Sequence, residues 1–231
     1  MYILRNLVDR KIYDFVAPGR DNPDEIRLGW HTTPHHFDDF PPVAEALKAA
    51  MEAFPKLKLI FMGWMPEMAG GIPFTRFEYY GFVTSEAFYP CLANIDLDIG
   101  IAPLIENGFN KAKTARKAQE YAILKVPMIL ANVSTYKEWS NWDTCIKPTA
   151  NAPEDWFRSI KWMVEHPKDR VKLAEAAYKQ CLRNHDLDTY IWERASVYYR
   201  VYKSVKGEDH PYWPVIEAGL KERGLTLEEA E

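Results

Sequence analysis

Residues 97–130 read LDIGIAPLIENGFNKAKTARKAQEYAILKVPMIL. Leu97–Ala102 is an apolar run that stops at Pro103, and Val126–Leu130 is a second one. Between them lie a polar loop and a helix expected from about Asn110 to Leu124. Two buried strands joined through a helix of roughly ten to fifteen residues make a right-handed crossover, so the strands should lie parallel.

The same alternation continues on both sides. Ile26–Trp30, Leu57–Met62 and Phe77–Gly81 read as strands, with a further short one at Tyr2–Leu4. Pro42–Phe54 places Val43, Ala46, Leu47, Ala50 and Phe54 at helical spacing, its prolines at the start, where a missing N–H costs little. Thr84 should cap a helix over 85–95, within which Pro90 predicts a kink or an early end. Ser134 opens a short helix through Trp139, and Thr144–Lys147 reads as a last edge strand. After Pro153 the pattern turns helical. One helix runs to about His166, and a second carries Val171, Ala174, Tyr178 and Cys181 on one face. A third aligns Ile191, Ala195, Tyr198, Tyr202 and Val205. The expected class is α/β: a doubly wound, Rossmann-like parallel sheet of about six strands with a helical C-terminal extension. Ligands of such sheets sit beyond the carboxyl ends of the strands. The loops after Trp30, Met62, Gly81, Ala102 and Leu130 are therefore the ones to inspect.

Composition narrows the function. The 231 residues are 47% hydrophobic and 27% charged, an ordinary globular balance that excludes disorder and coiled coil. A net charge of −4 argues against a broad nucleic-acid binder. The three cysteines, Cys91, Cys145 and Cys181, are too few and too far apart for a zinc motif and suit a reducing compartment. No apolar run is long enough to span a bilayer, so the expected location is cytoplasmic, or peripheral to a membrane. Aromatics make up 14% of the chain, and core packing accounts for them more simply than sugar stacking. Trp139 and Trp142 are expected at the sheet edge, and Gly70-Gly71 in a turn. No Walker A, G-x-G-x-x-G or G-x-S-x-G motif occurs.

The loop and helix after the fourth strand carry the chemistry. Lys111, Lys113, Arg116 and Lys117 crowd a helix start, where free N–H groups already favour anions. Cations there are unfavourable without an anion, which suggests a phosphate ligand; a solvated surface helix with a Lys117/Glu120 pair fits the same pattern. Lys113, Lys117 and Glu120 share one face, while Ala112, Ala115 and Ala118 would let the helix approach the sheet. In the loop after the first strand, His31, His35 and His36 stand near Asp38 and Asp39. Adjacent histidines point apart and no cysteine supports them, so no metal is expected. A phosphate contact by His31 or Thr32, or a plain polar loop, remains.

The run DLDIGIAPLIENGFNKAKTARKAQEYAILKVPMILANVSTYKEW resembles the donor-binding segment of group 1, family 4-like glycosyltransferases of the GT-B fold. Glu120-Tyr121-Ala122 and Val126-Pro127-Met128-Ile129 occupy its helix and its G-x-P-V-I-A-S strand, and GFVTSEAFYPCLANIDLDIGIAPL is similar to the segment upstream. The resemblance covers roughly residues 26 to 205. It implies that Glu120 accepts hydrogen bonds from the ribose of a nucleotide, that Lys113 with Lys117 holds the diphosphate, and that the turn Glu106–Asn110 lies near the donor sugar, Asn110 bonding a hydroxyl. The backbone at Phe82 and Val83 would seat the base. The chain departs from the pattern at Ala112, where the family's E-x7-E motif has Glu; either Glu106 substitutes or the sugar contact differs. GWHTTPHH resembles a GWHGSP-like subgroup, placing His31 by the phosphates.

On that resemblance, residues 1–25 are an inter-domain lead-in, 26–187 the nucleotide-sugar-binding domain, 188–206 a helix crossing to another domain, and 207–231 a polar tail. The chain would be the C-terminal half of a GT-B enzyme. Its partners would be a nucleotide sugar as donor substrate, a glycan or other acceptor, and a first GT-B domain or a second copy of the chain. No cofactor is implied, and the catalytic base would come from the first domain. A non-catalytic nucleotide- or sugar-binding module, a remnant reading frame and a sugar-nucleotide epimerase are the alternatives. Surplus aromatics on the last helix suggest an interface near Tyr198 and Tyr202.

Overall fold

The computed structural model describes residues 6–13, 24–66 and 74–224. The Tyr2–Leu4 strand, most of the lead-in and the Gly70-Gly71 turn lie outside them. Two compact units form the chain: residues 11–181, and the residues from 182 onward with the N-terminal stretch up to 10. The second unit thus begins before the expected boundary at 187.

The first unit is a parallel sheet in the order β3-β2-β1-β4-β5. The strands are β1 (Ile26–Thr32), β2 (Leu57–Gly63), β3 (Phe77–Tyr80), β4 (Ile99–Ala102) and β5 (Met128–Leu130). In register, Trp30 faces Phe61 on β2, while Gly29 faces Gly100 on β4. The order reverses between β1 and β4, which makes their carboxyl ends the switch point of the doubly wound topology. The described residues form five strands in this sheet rather than about six. Ile146 only bridges Ile129, because the segment enters from a turn with Trp142 at positive φ and meets Pro148, which has no N–H to continue a ladder.

Helices cover the sheet: α1 (Pro41–Ala53), α2 (Ser85–Ile95), α3 (Gly108–Lys111), α4 (Arg116–Ile123), α5 (Pro153–Glu165) and the first part of α6 (Pro167–His185). Thr84 caps α2, its hydroxyl accepting from Ala87 N–H, and α2 runs through Pro90 without a break. Trp30, Trp139, Trp156 and Tyr121 are fully buried and belong to the core, whereas Trp142 is exposed, edge-on to Trp162. On α6 the buried stripe is Leu173, Ala174, Ala177 and Cys181; Val171 faces solvent.

The second unit pairs α7 (Leu187–Lys206) with α8 (Trp213–Glu222). α8 occupies part of the segment expected as a polar tail. Trp213 stacks on Tyr199 at 3.7 Å, and a Cβ on Gly219 would come within 2.3 Å of the Trp192 ring. That contact rotates α7: Ser196, Val197 and Tyr199 are buried, while Ile191, Tyr198 and Val205 of the expected stripe are exposed. No described helix is long and apolar enough to cross a membrane.

Candidate functional site

The expected single helix over 110–124 is two helices. Asn107 caps α3 by accepting from Asn110 N–H at 2.7 Å, and the chain breaks before α4 begins at Arg116. The break lies between two fixed points. Asn110 Nδ2 is tied to Asp39 Oδ1 at 3.1 Å and to the Ile105 carbonyl at 3.0 Å. At the other point, Tyr121 lies flat on Gly100, where an added Cβ would come within 2.5 Å of its ring, and its hydroxyl donates toward the carbonyls of Ile101 and Gly29. Glycine on β4, more than the alanines of the helix, sets the close approach.

Holding Tyr121 inward turns Arg116, Lys117 and Glu120 into a cleft of about 370 Å³ at the carboxyl ends of the strands. His31 and Thr32 line it from β1, Met62 and Gly63 from β2, and Gly81, Phe82 and Val83 from the turn after β3. Gly63 is required there: its φ is +87°, and a Cβ would lie 2.4 Å from the Thr32 carbonyl oxygen. Ala115, the N-cap of α4, offers no side-chain acceptor, and the first turn holds no acid. The helix start, without a side-chain cap, thus turns two cations to the cleft.

Glu120 is buried, with Oε2 at 2.8 Å from His31 Nε2 and Oε1 at 3.1 Å from Arg116 Nε. Burial works against its charge, yet the His31 hydrogen bond and the nearby Arg116 and Lys117 hold its pKa below the ordinary value. Burial also lowers the pKa of His31 in spite of Glu120, so His31 is neutral and donates through Nε2. Arg116 further hydrogen-bonds the Tyr89 hydroxyl. Lys117 Nζ stands 3.1 Å from His36 Nε2, and His36 Nδ1 stands 2.6 Å from Asp39 Oδ2. Burial, with the charge of Lys113, brings the Lys117 pKa down to about 8. An amine in this state gains from any anion that enters the cleft.

The other expected residues lie elsewhere. Lys113 sits in the α3–α4 link with its ammonium 4.7 Å from the Phe109 ring centre. Glu106 accepts from Ser134 N–H and Oγ at 3.0 and 2.9 Å and pairs with Lys111. The structure thus brings together His31, Val83, Lys117 and Glu120, and leaves Glu106, Asn110 and Lys113 outside the cleft lining. The cleft also takes in Arg116 and His36, which the resemblance assigns no ligand contact. Arg116 had a legible signal, four residues before Glu120 on one helix; His36 had none beyond its type. Among the described residues no group of three or more His, Cys, Asp or Glu side chains could hold a metal ion.

No family model and no curated protein matches the sequence. Solved structures do. The C-terminal domain of a group 1 glycosyl transferase, LpcC, from Francisella tularensis superposes with a TM-score of 0.62 at 13% identity, covering 78% of this chain and 99% of that domain. The fold is that of a GT-B half-domain. A glycosyltransferase from Rickettsia africae gives 0.67 at 16% identity over 87% of this chain and 57% of its own. Anabaena HepE, solved in complex with UDP-glucose, gives 0.64 at 14% identity over 83% of this chain and 55% of its own. The chain spans little more than half the length of these longer glycosyltransferases.

Proposed function

We propose that the chain is the donor-binding half of a family 4-like glycosyltransferase that moves a sugar from a nucleoside diphosphate to an acceptor hydroxyl. The observation that carries this reading is the cleft itself. At the switch point of the sheet, one helix lines the cleft with Arg116, Lys117 and Glu120, and its start carries no side-chain cap. Glu120 retains lone pairs for ribose hydroxyls while His31 and Arg116 keep it ionised. The cations and N–H groups would receive the diphosphate and stabilise the charge that develops on it as the sugar leaves. Lys113, whose charge reaches Lys117, adds to the positive field there, the backbone near Phe82 and Val83 would seat the base, and Glu106–Asn110 would border the sugar. No metal or cofactor is assigned a role. The acceptor site and the catalytic base would be supplied by a first GT-B domain or a second copy of the chain.

Calorimetric titration with UDP, GDP, ADP, TDP and CMP tests the reading. One nucleoside diphosphate should bind. Glu120→Ala should weaken it by about tenfold or more, the cost of roughly 1.5–3 kcal/mol for a charge-assisted hydrogen bond. Unchanged affinity in a folded Glu120→Ala variant, or no binding of any nucleotide to the unaltered chain, would reject it.

A further inference from the structure

Lys117 is approached from behind by side chains that do not belong to its helix. Asp39 Oδ2 lies 2.6 Å from His36 Nδ1, and His36 Nε2 lies 3.1 Å from Lys117 Nζ. Asp39 is itself fixed, because its Oδ1 accepts from Ile105 N–H at 2.9 Å and from Asn110 Nδ2 at 3.1 Å. Burial opposes its charge, but the bonds from His36 and Ile105 N–H outweigh that and hold the carboxyl ionised. An ionised carboxylate can only accept, so the proton of neutral His36 sits on Nδ1. The Nε2 lone pair then faces the ammonium, so with His36 neutral and Lys117 charged both short contacts are hydrogen bonds.

We propose that His36, locked in one tautomer by Asp39, is a positioning residue that holds the Lys117 ammonium in the cleft without cancelling its charge. The assignment rests on the nucleotide reading above and specifies how diphosphate is told from nucleoside. Lysine is a flexible point charge and loses rotamer freedom when it must hold one geometry. A carboxylate partner would fix it but neutralise it, as happens to Lys58 beside Glu25 and Glu78. A neutral imidazole takes one N–H and leaves the full charge and two N–H groups for a ligand. The charges around Lys117 are Glu120 and Arg116 on its own helix, Lys113 in the preceding link, and Asp39 behind His36. The chain of contacts also joins the loops after β1 and β4 to α4, so the two walls of the cleft meet at the anion end.

Two measurements on the full chain test this. Imidazole ¹⁵N spectra should show His36 protonated at Nδ1 and bare at Nε2 near neutral pH; an Nε2–H tautomer overturns the assignment. UDP and uridine are then titrated against the unaltered chain, His36→Ala and His36→Gln. His36→Ala should lower UDP affinity about tenfold and uridine affinity less than about twofold, as expected for loss of a charge-directed contact. His36→Gln, whose amide oxygen can still accept from Lys117, should recover most of the difference. If the unaltered chain prefers UDP and His36→Ala keeps that preference, or if Gln and Ala behave alike, the positioning role falls alone. If the unaltered chain binds UDP no better than uridine, the nucleotide reading falls and takes this one with it.

Discussion

The amino and carboxyl ends of the sheet carry the same kinds of side chain in opposite states. At the amino end, Arg27 meets Glu78 at 2.7 Å and Glu25 at 2.9 Å, and Lys58 meets Glu78 at 2.6 Å. Burial opposes the Arg27 charge, yet these partners raise its pKa; the Arg27 hydrogen bond takes Glu78 down to about 2. At the carboxyl end, Lys117 has a neutral imidazole as its close contact, and burial lowers its pKa to about 8. Balanced charges stabilise the fold and leave nothing over for a ligand. A buried cation whose direct contact is an imidazole rather than a carboxylate gives up stability to keep a field in the cleft, and an arriving anion offsets that loss.

Four substitutions would break or sharpen that contrast. The largest effect is expected from Arg27→Ala, which leaves Glu78 short of its bidentate partner and the Ile95 carbonyl without its donor. Urea denaturation should show a loss of about 3 kcal/mol, with nucleotide affinity unchanged. A loss of binding without a loss of stability would erase the distinction between the two ends.

Lys117→Met should do the reverse. UDP affinity should fall about twentyfold, roughly 1.8 kcal/mol, while stability at pH 7 holds or rises because a buried charge is gone. The pH profile sharpens this further. In the free protein the ammonium is lost as pH rises through about 8, so UDP affinity should decline above that value. Lys117→Arg, which cannot lose its proton there, should bind without that decline. A flat profile in the unaltered chain would remove Lys117 from the anion site.

The smallest effect belongs to acid pH. Glu78 has a folded pKa of about 2 against an ordinary 4.5, so its contribution is fully present above the ordinary value and fades as pH falls toward the folded one. Glu78→Gln should cost about 1 kcal/mol at pH 7, since the group is part-exposed, and almost nothing near pH 2. Denaturation at several pH values checks both limits.

Much of the fold was legible in single segments. Thr84 followed by a helical run marks the start of α2, and the prolines at 41 and 42 mark α1, because capping and ring chemistry act within a few residues. The same holds for β1, β2 and β4, whose apolar runs bury on both faces. The helix over 110–124 looked continuous, since nothing local at Ala112–Ala115 forbids it. It breaks because Asn110 and Tyr121 answer to Asp39 and Gly100, far away in sequence. On α7 the helical period of the sequence holds but the buried face differs from the Ile191–Tyr198–Val205 stripe, because the residue that chooses the face is Trp213 on the next helix.

The candidate site divides in the same way. The residue order alone placed a doubly wound α/β sheet, its ligand loops, and a helix bearing Lys117 and Glu120 at one of them. Those features rest on hydrophobic period, breaker residues and charge spacing, which act over a few neighbouring residues. Only the tertiary structure decided which cations face the cleft, that His31 holds Glu120, and that Asp39 and His36 stand behind Lys117. Those are contacts across 89, 81 and 3 residues of chain. Even the shortest depends on where Ile105 and Asn110 pin Asp39, because a side chain's charge state and direction are set by what surrounds it after the chain has folded.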